Sequence, residues 1–119
     1  SIGDLGYIDN DGMLHVLGRA DEMIIVGGEN VYPSSVDNVL DTMPGIADHY
    51  AKGVDDDATF SRIAAWIVKD PEGPEITADD IRQWVRTRLA EHSVPRDVHF
   101  VDDLPRNATG KVIPRKLTA

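Results

Sequence analysis

The apolar positions of this chain change period several times, and each change marks an element. From Tyr7 to Val16 two short strand-like stretches flank Asp9-Asn10-Asp11-Gly12, whose Asx and Gly residues supply the positive φ angles of a tight turn, so a β-hairpin is predicted. Met23-Ile24-Ile25-Val26 is an unbroken apolar run of strand length closed by Gly27-Gly28. Pro33 suits the first turn of a helix, and Val36, Val39, Leu40 and Met43 follow at three- and four-residue spacing until Pro44-Gly45 stops the stripe. Residues 46–54 and 62–69 have strand composition and flank Asp55-Asp56-Asp57, which predicts an antiparallel pair. Beyond the loop Asp70-Pro71-Glu72-Gly73-Pro74, Thr77 and Asp80 have the spacing of a capping box, with Asp where Glu or Gln is usual. Ile81, Trp84, Val85 and Leu89 then mark the buried face of a second helix ending near His92, with Arg82, Arg86 and Arg88 turned outward. Residues 98–101 predict a further strand, and 104–118 an irregular tail closing in a short helix. The expected fold class is α+β: a small sheet of about three strands packed with two to three helices, preceded by a β-hairpin.

A length of 119 residues suits one modest core, and 41% apolar with 28% charged residues is the composition of a folding chain, not a disordered one. The apolar runs are far shorter than the roughly 20 residues of a membrane helix. No cysteine is present, which removes disulfides and thiolate metal sites and fits a reducing compartment. The net charge of −9 argues against a nucleic-acid partner, which demands a basic face. That charge is unevenly spread: up to Asp57 twelve acids face only Arg19 and Lys52, whereas residues 58–119 carry nine acids and ten bases. The ending, with Arg106, Lys111, Arg115 and Lys116, is locally positive and could face an anionic ligand, although from charge alone a solvated tail is the default explanation.

Candidate chemistry is modest motif by motif. Gly110-Lys111 closes the polar stretch Pro105-Arg106-Asn107-Ala108-Thr109, where glycine permits a sharp turn and lysine presents a compact charge able to bridge phosphate and carboxylate oxygens. This is no P-loop, because Pro105 and Val112 stand where that motif needs Gly and Ser or Thr. Gly27-Gly28 ends a buried strand and would let a ligand or second backbone approach, or simply turn the chain towards the helix. Gly18-Arg19-Ala20-Asp21 pairs a possible phosphate or ribose contact with a carboxylate, with a surface ion pair as the default explanation, and Asp4 could accept from vicinal ribose hydroxyls or simply face solvent. His15, His49, His92 and His99 lack metal-binding spacing, no Gly-x-Ser-x-Gly elbow occurs, and Asp9-Asn10-Asp11-Gly12 lacks the flanking ligands of a calcium loop.

The order of these motifs is more specific than any one of them. Gly3-Asp4-Leu5-Gly6, Leu17-Gly18-Arg19-Ala20-Asp21-Glu22-Met23-Ile24, Gly27-Gly28-Glu29-Asn30-Val31-Tyr32-Pro33, Val94-Pro95-Arg96 and Leu104-Pro105 to Lys111 form a series that resembles the carboxy-terminal region of the adenylate-forming superfamily of acyl-CoA synthetases, carrier-protein adenylation domains and luciferase. The likeness spans almost the whole chain. It departs at Ile2, where threonine is common, and at Ser93, where lysine often stands.

The resemblance implies residues 1–17 as terminal strands of a large N-terminal AMP-binding domain acting in cis, and residues 18–119 as a C-terminal lid. It implies Lys111 as the catalytic lysine of adenylation, Asp4 and Arg19 as nucleotide contacts, Asp21 as the hinge, Gly27 and Gly28 as lining for the CoA arm, and Arg96 near the CoA phosphates. The substrates implied are ATP, CoA and a fatty acid, with Mg2+ serving the full-length enzyme and nothing bound tightly by this segment. The whole would be an acid–thiol ligase of the cytoplasm, with peripheral membrane association allowed and no transmembrane segment. The isolated chain is expected to have no ligase activity. Alternatives are the lid of a carrier-protein-loading domain and a non-catalytic module that binds pantetheine or nucleotide.

Overall fold

The computed structural model describes residues 4–8, 14–19, 23–113 and 117, with side chains described from residue 23 onward. Strands β1 (Asp4–Ile8) and β2 (Leu14–Arg19) pair antiparallel as the expected hairpin, whose Asp9–Gly12 turn lies outside the described residues. A second sheet holds β3 (Ile24–Val26), β4 (Glu29–Val31), β5 (Ile46–Asp56), β6 (Phe60–Lys69) and β7 (Asp97–Phe100). Its order is β4-β3-β6-β5, with β7 parallel to β6 and every other pair antiparallel. The α+β class is as expected, and the sheet is larger, at five strands. Four of the five lie at the strand-like runs read from the sequence, and β4 is the one not foreseen: Gly27-Gly28 turns the chain back on β3 before the helix begins, so that Val31 is buried across from Ile24.

The long β5–β6 hairpin organises the rest, because β6 alternates cleanly between two environments. Ile63, Ala65 and Ile67 face one core with Val36, Leu40, Ile81 and Val85, whereas Ala64 and Trp66 face the other way and are covered by Leu104, with Val101 and Val112 packed alongside. Helices α1 (Pro33–Leu40) and α2 (Ala78–Arg86) therefore coat one face of the sheet, and the C-terminal tail coats the other. Complete burial of each such aliphatic side chain contributes about 1.5–3 kcal/mol.

Helix α1 starts with Pro33 at its first turn, where a missing N–H costs nothing. Helix α2 starts with the predicted capping box: the Thr77 hydroxyl accepts from Asp80 N at 3.2 Å, and the Asp80 carboxylate accepts from Thr77 N at 2.9 Å, an arrangement contributing about 1 kcal/mol. The two helices are stitched by Trp84, whose indole donates to Val39 O at 2.6 Å, while Arg88 lies over the same indole, 3.3 Å from its ring centroid.

Helix α2 ends at Arg86, well short of His92. The chain turns there so that Val94 and Pro95 can be buried, and a short 3-10 turn, Glu91–Ser93, carries it across. Arg82 does not point into solvent as expected. Its guanidinium donates to Pro95 O at 3.1 Å and Arg96 O at 3.0 Å, satisfying carbonyls that this crossover leaves outside any ladder. The short helix expected at the chain end falls on residues mostly outside the description.

Candidate functional site

Lys111 is exposed in a tight loop on the tail-coated face of the sheet. Leu104 on one side and Val112 on the other are apolar anchors, while residues 106–111 between them are exposed, so burial cannot hold the loop's shape. Polar contacts do. The Asn107 side-chain carbonyl accepts from Thr109 N at 3.0 Å, Thr109 Oγ1 at 2.7 Å and Lys111 N at 2.9 Å, and Asn107 N donates back to Lys111 O at 2.8 Å. Gly110 has φ 86°, a conformation that favours glycine and lets its N–H reach Asn107 O at 3.0 Å. Among the described residues the Lys111 ammonium meets no acidic partner, so its charge is available to a ligand.

At the far end of the hairpin, Gly27 and Gly28 form the β3–β4 turn with φ 56° and 89°. Gly27 N donates to Thr59 O at 3.0 Å, which seats the turn on the β5–β6 connection. A Cβ on Gly28 would meet nothing within 4 Å, and one on Gly27 would lie 3.5 Å from the His92 ring. The turn thus offers bare backbone to whatever approaches it. Beside it lies an open cavity of ≈ 230 Å³ whose lining combines apolar Val26 and Ile63 with Thr59, Glu91, His92 and Arg96. Arg96 is partly engaged there: it donates to Thr59 Oγ1 and lies 3.3 Å from the Asp56 carboxylate. Asp56 in turn accepts from Thr59 Oγ1 and N, each at 2.8 Å, and these bonds hold its carboxyl below the usual carboxylate range. Phe60, next in the chain, is 74% exposed and has φ 76°, an unusual conformation for a bulky residue and a mark of local strain.

The backbone pairs Asp4 with Arg19 directly across the β1–β2 ladder, which brings the two expected nucleotide contacts to one register position. Asp21 lies outside the described residues. The sequence reading does not single out Asp48, and it names Asn107 only as part of the polar stretch, with no role of its own. The Asn-x-Thr-Gly stretch is a local turn signal that could have revealed Asn107, but nothing local identifies Asp48, whose partner Arg106 is 58 residues away.

A cluster on the helix-coated face was also missed. His49 Nδ1 lies 2.8 Å from Asp37 Oδ1, and Nε2 lies 2.5 Å from Asp41 Oδ1, clasping α1 to β5. Burial pushes the Asp37 carboxyl up despite the opposing histidine. For His49, burial pulls the other way, and the hydrogen bonds to Asp37 and Asp41 outweigh it, leaving the imidazole above its ordinary value. Among the described residues no group of three or more His, Cys, Asp or Glu side chains has an arrangement that could hold a metal ion.

With this geometry in view, a family model described as AMP-binding enzyme C-terminal domain matches residues 35–111. The 2-succinylbenzoate–CoA ligase of Bacillus licheniformis is 44% identical over 116 residues, spanning 97% of this chain and 23% of that protein. Among solved structures, the o-succinylbenzoate CoA synthetase of Bacillus subtilis with its acyl-adenylate intermediate aligns over 99% of this chain and 24% of its own, at 36% identity and TM-score 0.84. The Mycobacterium tuberculosis fatty acyl CoA synthetase aligns over 95% and 22%, at 37% identity and TM-score 0.83. The chain thus spans about a quarter of the length of the relatives it matches. Matched over well over half its length by one family model, this chain belongs to the AMP-binding enzyme C-terminal domain family.

Proposed function

We propose that this chain is the mobile lid of an adenylate-forming acid–thiol ligase, and that its two exposed loops serve two successive half-reactions. In the first, a carboxylate oxygen attacks the α-phosphorus of ATP, giving an acyl-adenylate and releasing pyrophosphate. In the second, the thiol of CoA attacks the acyl carbon, releasing AMP and a proton. Lys111 would offset the negative charge on carboxylate and α-phosphate as they react, a role suited to an exposed ammonium on a pre-shaped loop. Gly27 and Gly28 would flank the pantetheine arm, and Arg96 would stand near the CoA phosphates. Asp4 and Arg19 would contact the nucleotide. Asp21 would absorb the backbone rotation between the two poses, with residues 1–17 belonging to the large domain.

One observation carries this reading: the two loops dock at opposite ends of β5. The Lys111 loop is tied to Asp48, and the Gly27–Gly28 turn rests on the Asp56–Thr59 connection. Asp56 lies eight positions along β5 from Asp48, which at about 3.3 Å per step is roughly 26 Å. A rigid domain cannot present both ends to one reacting carbon together, so it must reorient between steps. The CoA ligase names of the relatives favour free CoA over a carrier-protein thiol. Those names include both an aromatic dicarboxylic acid and a fatty acid; a fatty acid remains our finer proposal, and the acid is chosen outside these residues. A cytoplasmic location fits the absence of cysteine.

The test uses the intact ligase. Lys111→Ala should lower ATP–pyrophosphate exchange by about 10²- to 10³-fold, the cost of removing one group that stabilises developing charge. Conversion of supplied acyl-adenylate to acyl-CoA should be largely retained. Equal loss of both steps would refute the assignment.

A further inference from the structure

The loop bearing Lys111 is organised internally by Asn107, but an internal turn does not fix where the loop stands relative to the sheet. Leu104 and Val112 anchor its two ends by packing, and the polar connection between loop and sheet is made by Arg106. One edge of its guanidinium grips Asp48 on β5, with Nη2 donating at 2.6 Å to Oδ1 and 2.7 Å to Oδ2, and Nε donating at 3.3 Å to Oδ2. From the other side, Nη1 donates to Gly110 O at 2.6 Å.

Gly110 O and Lys111 N belong to the same peptide unit. Its carbonyl is held by Arg106 and its N–H by Asn107, so the plane from which the lysine side chain departs is clamped at both ends. Asp48 is itself steadied, since Oδ1 also accepts the N–H of His49 at 2.9 Å. The strand geometry explains why Asp48 can serve. Alternation puts His49 towards α1 and Asp48 towards the tail, so neighbouring residues tie β5 to two different layers.

We propose that Asp48 is a positioning residue for adenylation, acting through Arg106 to hold the Gly110–Lys111 peptide in place so that the lysine ammonium arrives in register with the reacting phosphate. This rests on the assignment of Lys111 made above. Among the described residues Asp48 is the one side chain outside the loop that this network grips, and without it the clamp would move with the loop. A planar guanidinium fork matched to a carboxylate sets orientation as well as attraction. Small displacements of a charge-stabilising group lower rate more than binding, because the lost contact belongs to the transition state.

The experiment measures both half-reactions in the intact ligase carrying Asp48→Asn, Asp48→Glu, Lys111→Ala, and Lys111→Ala with Asp48→Asn. Asp48→Asn should lower kcat for adenylate formation about tenfold with KM for ATP unchanged, and leave conversion of supplied acyl-adenylate to acyl-CoA at wild-type rate. Asp48→Glu, which keeps the carboxylate, should recover most of the loss. In the Lys111→Ala background, Asp48→Asn should cost nothing further. An equal fall in both half-reactions, an unaltered kcat, or a further tenfold loss in the Lys111→Ala background would each overturn the positioning role. If Lys111→Ala alone leaves adenylation intact, the assignment of Lys111 fails first and the role of Asp48 goes with it.

Discussion

The two exposed loops of this chain are built by opposite means. At Gly27-Gly28 the exposed surface is bare backbone, and the turn is held by main-chain bonding to Thr59 and by burial of Val26 and Val31 in the strands that enter and leave it. At Lys111 the exposed surface is a charged side chain, and the loop is held by an asparagine, an arginine and an aspartate. The difference teaches what each end can deliver. Removing side chains admits something large and neutral in shape, whereas delivering a charge requires that the carrier be oriented without its ammonium being consumed.

The comparison can be broken hardest from below the Lys111 loop. Trp66 is 1% exposed and packs with Leu104 and Ala64 on the tail-coated face. Trp66→Ala should cost about 3–5 kcal/mol, read from the urea midpoint of the 119-residue chain. A loss below about 1 kcal/mol would mean that the tail gains little from this face. The turn is probed more gently by Gly28→Val. A Cβ there meets no neighbour, so the cost is conformational, about 1–3 kcal/mol for a φ of 89°. In the intact ligase it should slow thioester formation about tenfold while adenylate formation holds; equal slowing of both would erase the division of labour between the loops.

The smallest effect concerns pH. The His49 value is raised, so its contribution to stability is complete below about pH 6.5 and fades as pH rises through the higher folded value. The Asp37 value is also raised, so the folded chain holds its proton longer and that contribution fades in the same direction, from about pH 3.8 upward. The groups facing His49 are Asp37 from α1 and Asp41 at its C-cap, with Asp48 beside it on β5. Asp41 is two-thirds exposed, so solvent limits the whole to under about 1 kcal/mol. Thermal melts at pH 6 and pH 8.5 should show a larger drop for the wild-type chain than for His49→Gln; equal drops would mean that the clasp carries no proton-linked stability.

Much of this was legible in sequence because it was local. The helical stripe Val36, Val39, Leu40, Met43 and the Thr77–Asp80 box each announce themselves within a few residues, and both helices begin where they were expected, although α1 stops at Leu40 and leaves Met43 beyond it. Strand β4 was missed because Glu29-Asn30-Val31 is short and mostly polar, and only pairing with β3 makes it a strand. The early end of α2 was missed because it is set by burial of Val94 and Pro95, which no periodicity within the helix encodes. At the candidate site, the Gly110-Lys111 loop was found through its glycine. The support beneath it was invisible, since Asp48 meets Arg106 only after β5 has joined the sheet and the tail has crossed to the far face.

That crossing has a consequence for partly made or cut copies of the chain. Strand β7 covers the main-chain edge of β6 at residues 64–67, and it comes from sequence some thirty residues later, beyond α2. A molecule nicked ahead of Asp97 would leave Ala64-Ala65-Trp66-Ile67 with open donors and acceptors and no gatekeeping charge among them. Such an edge recruits foreign strands, so β7 also guards the chain against self-association.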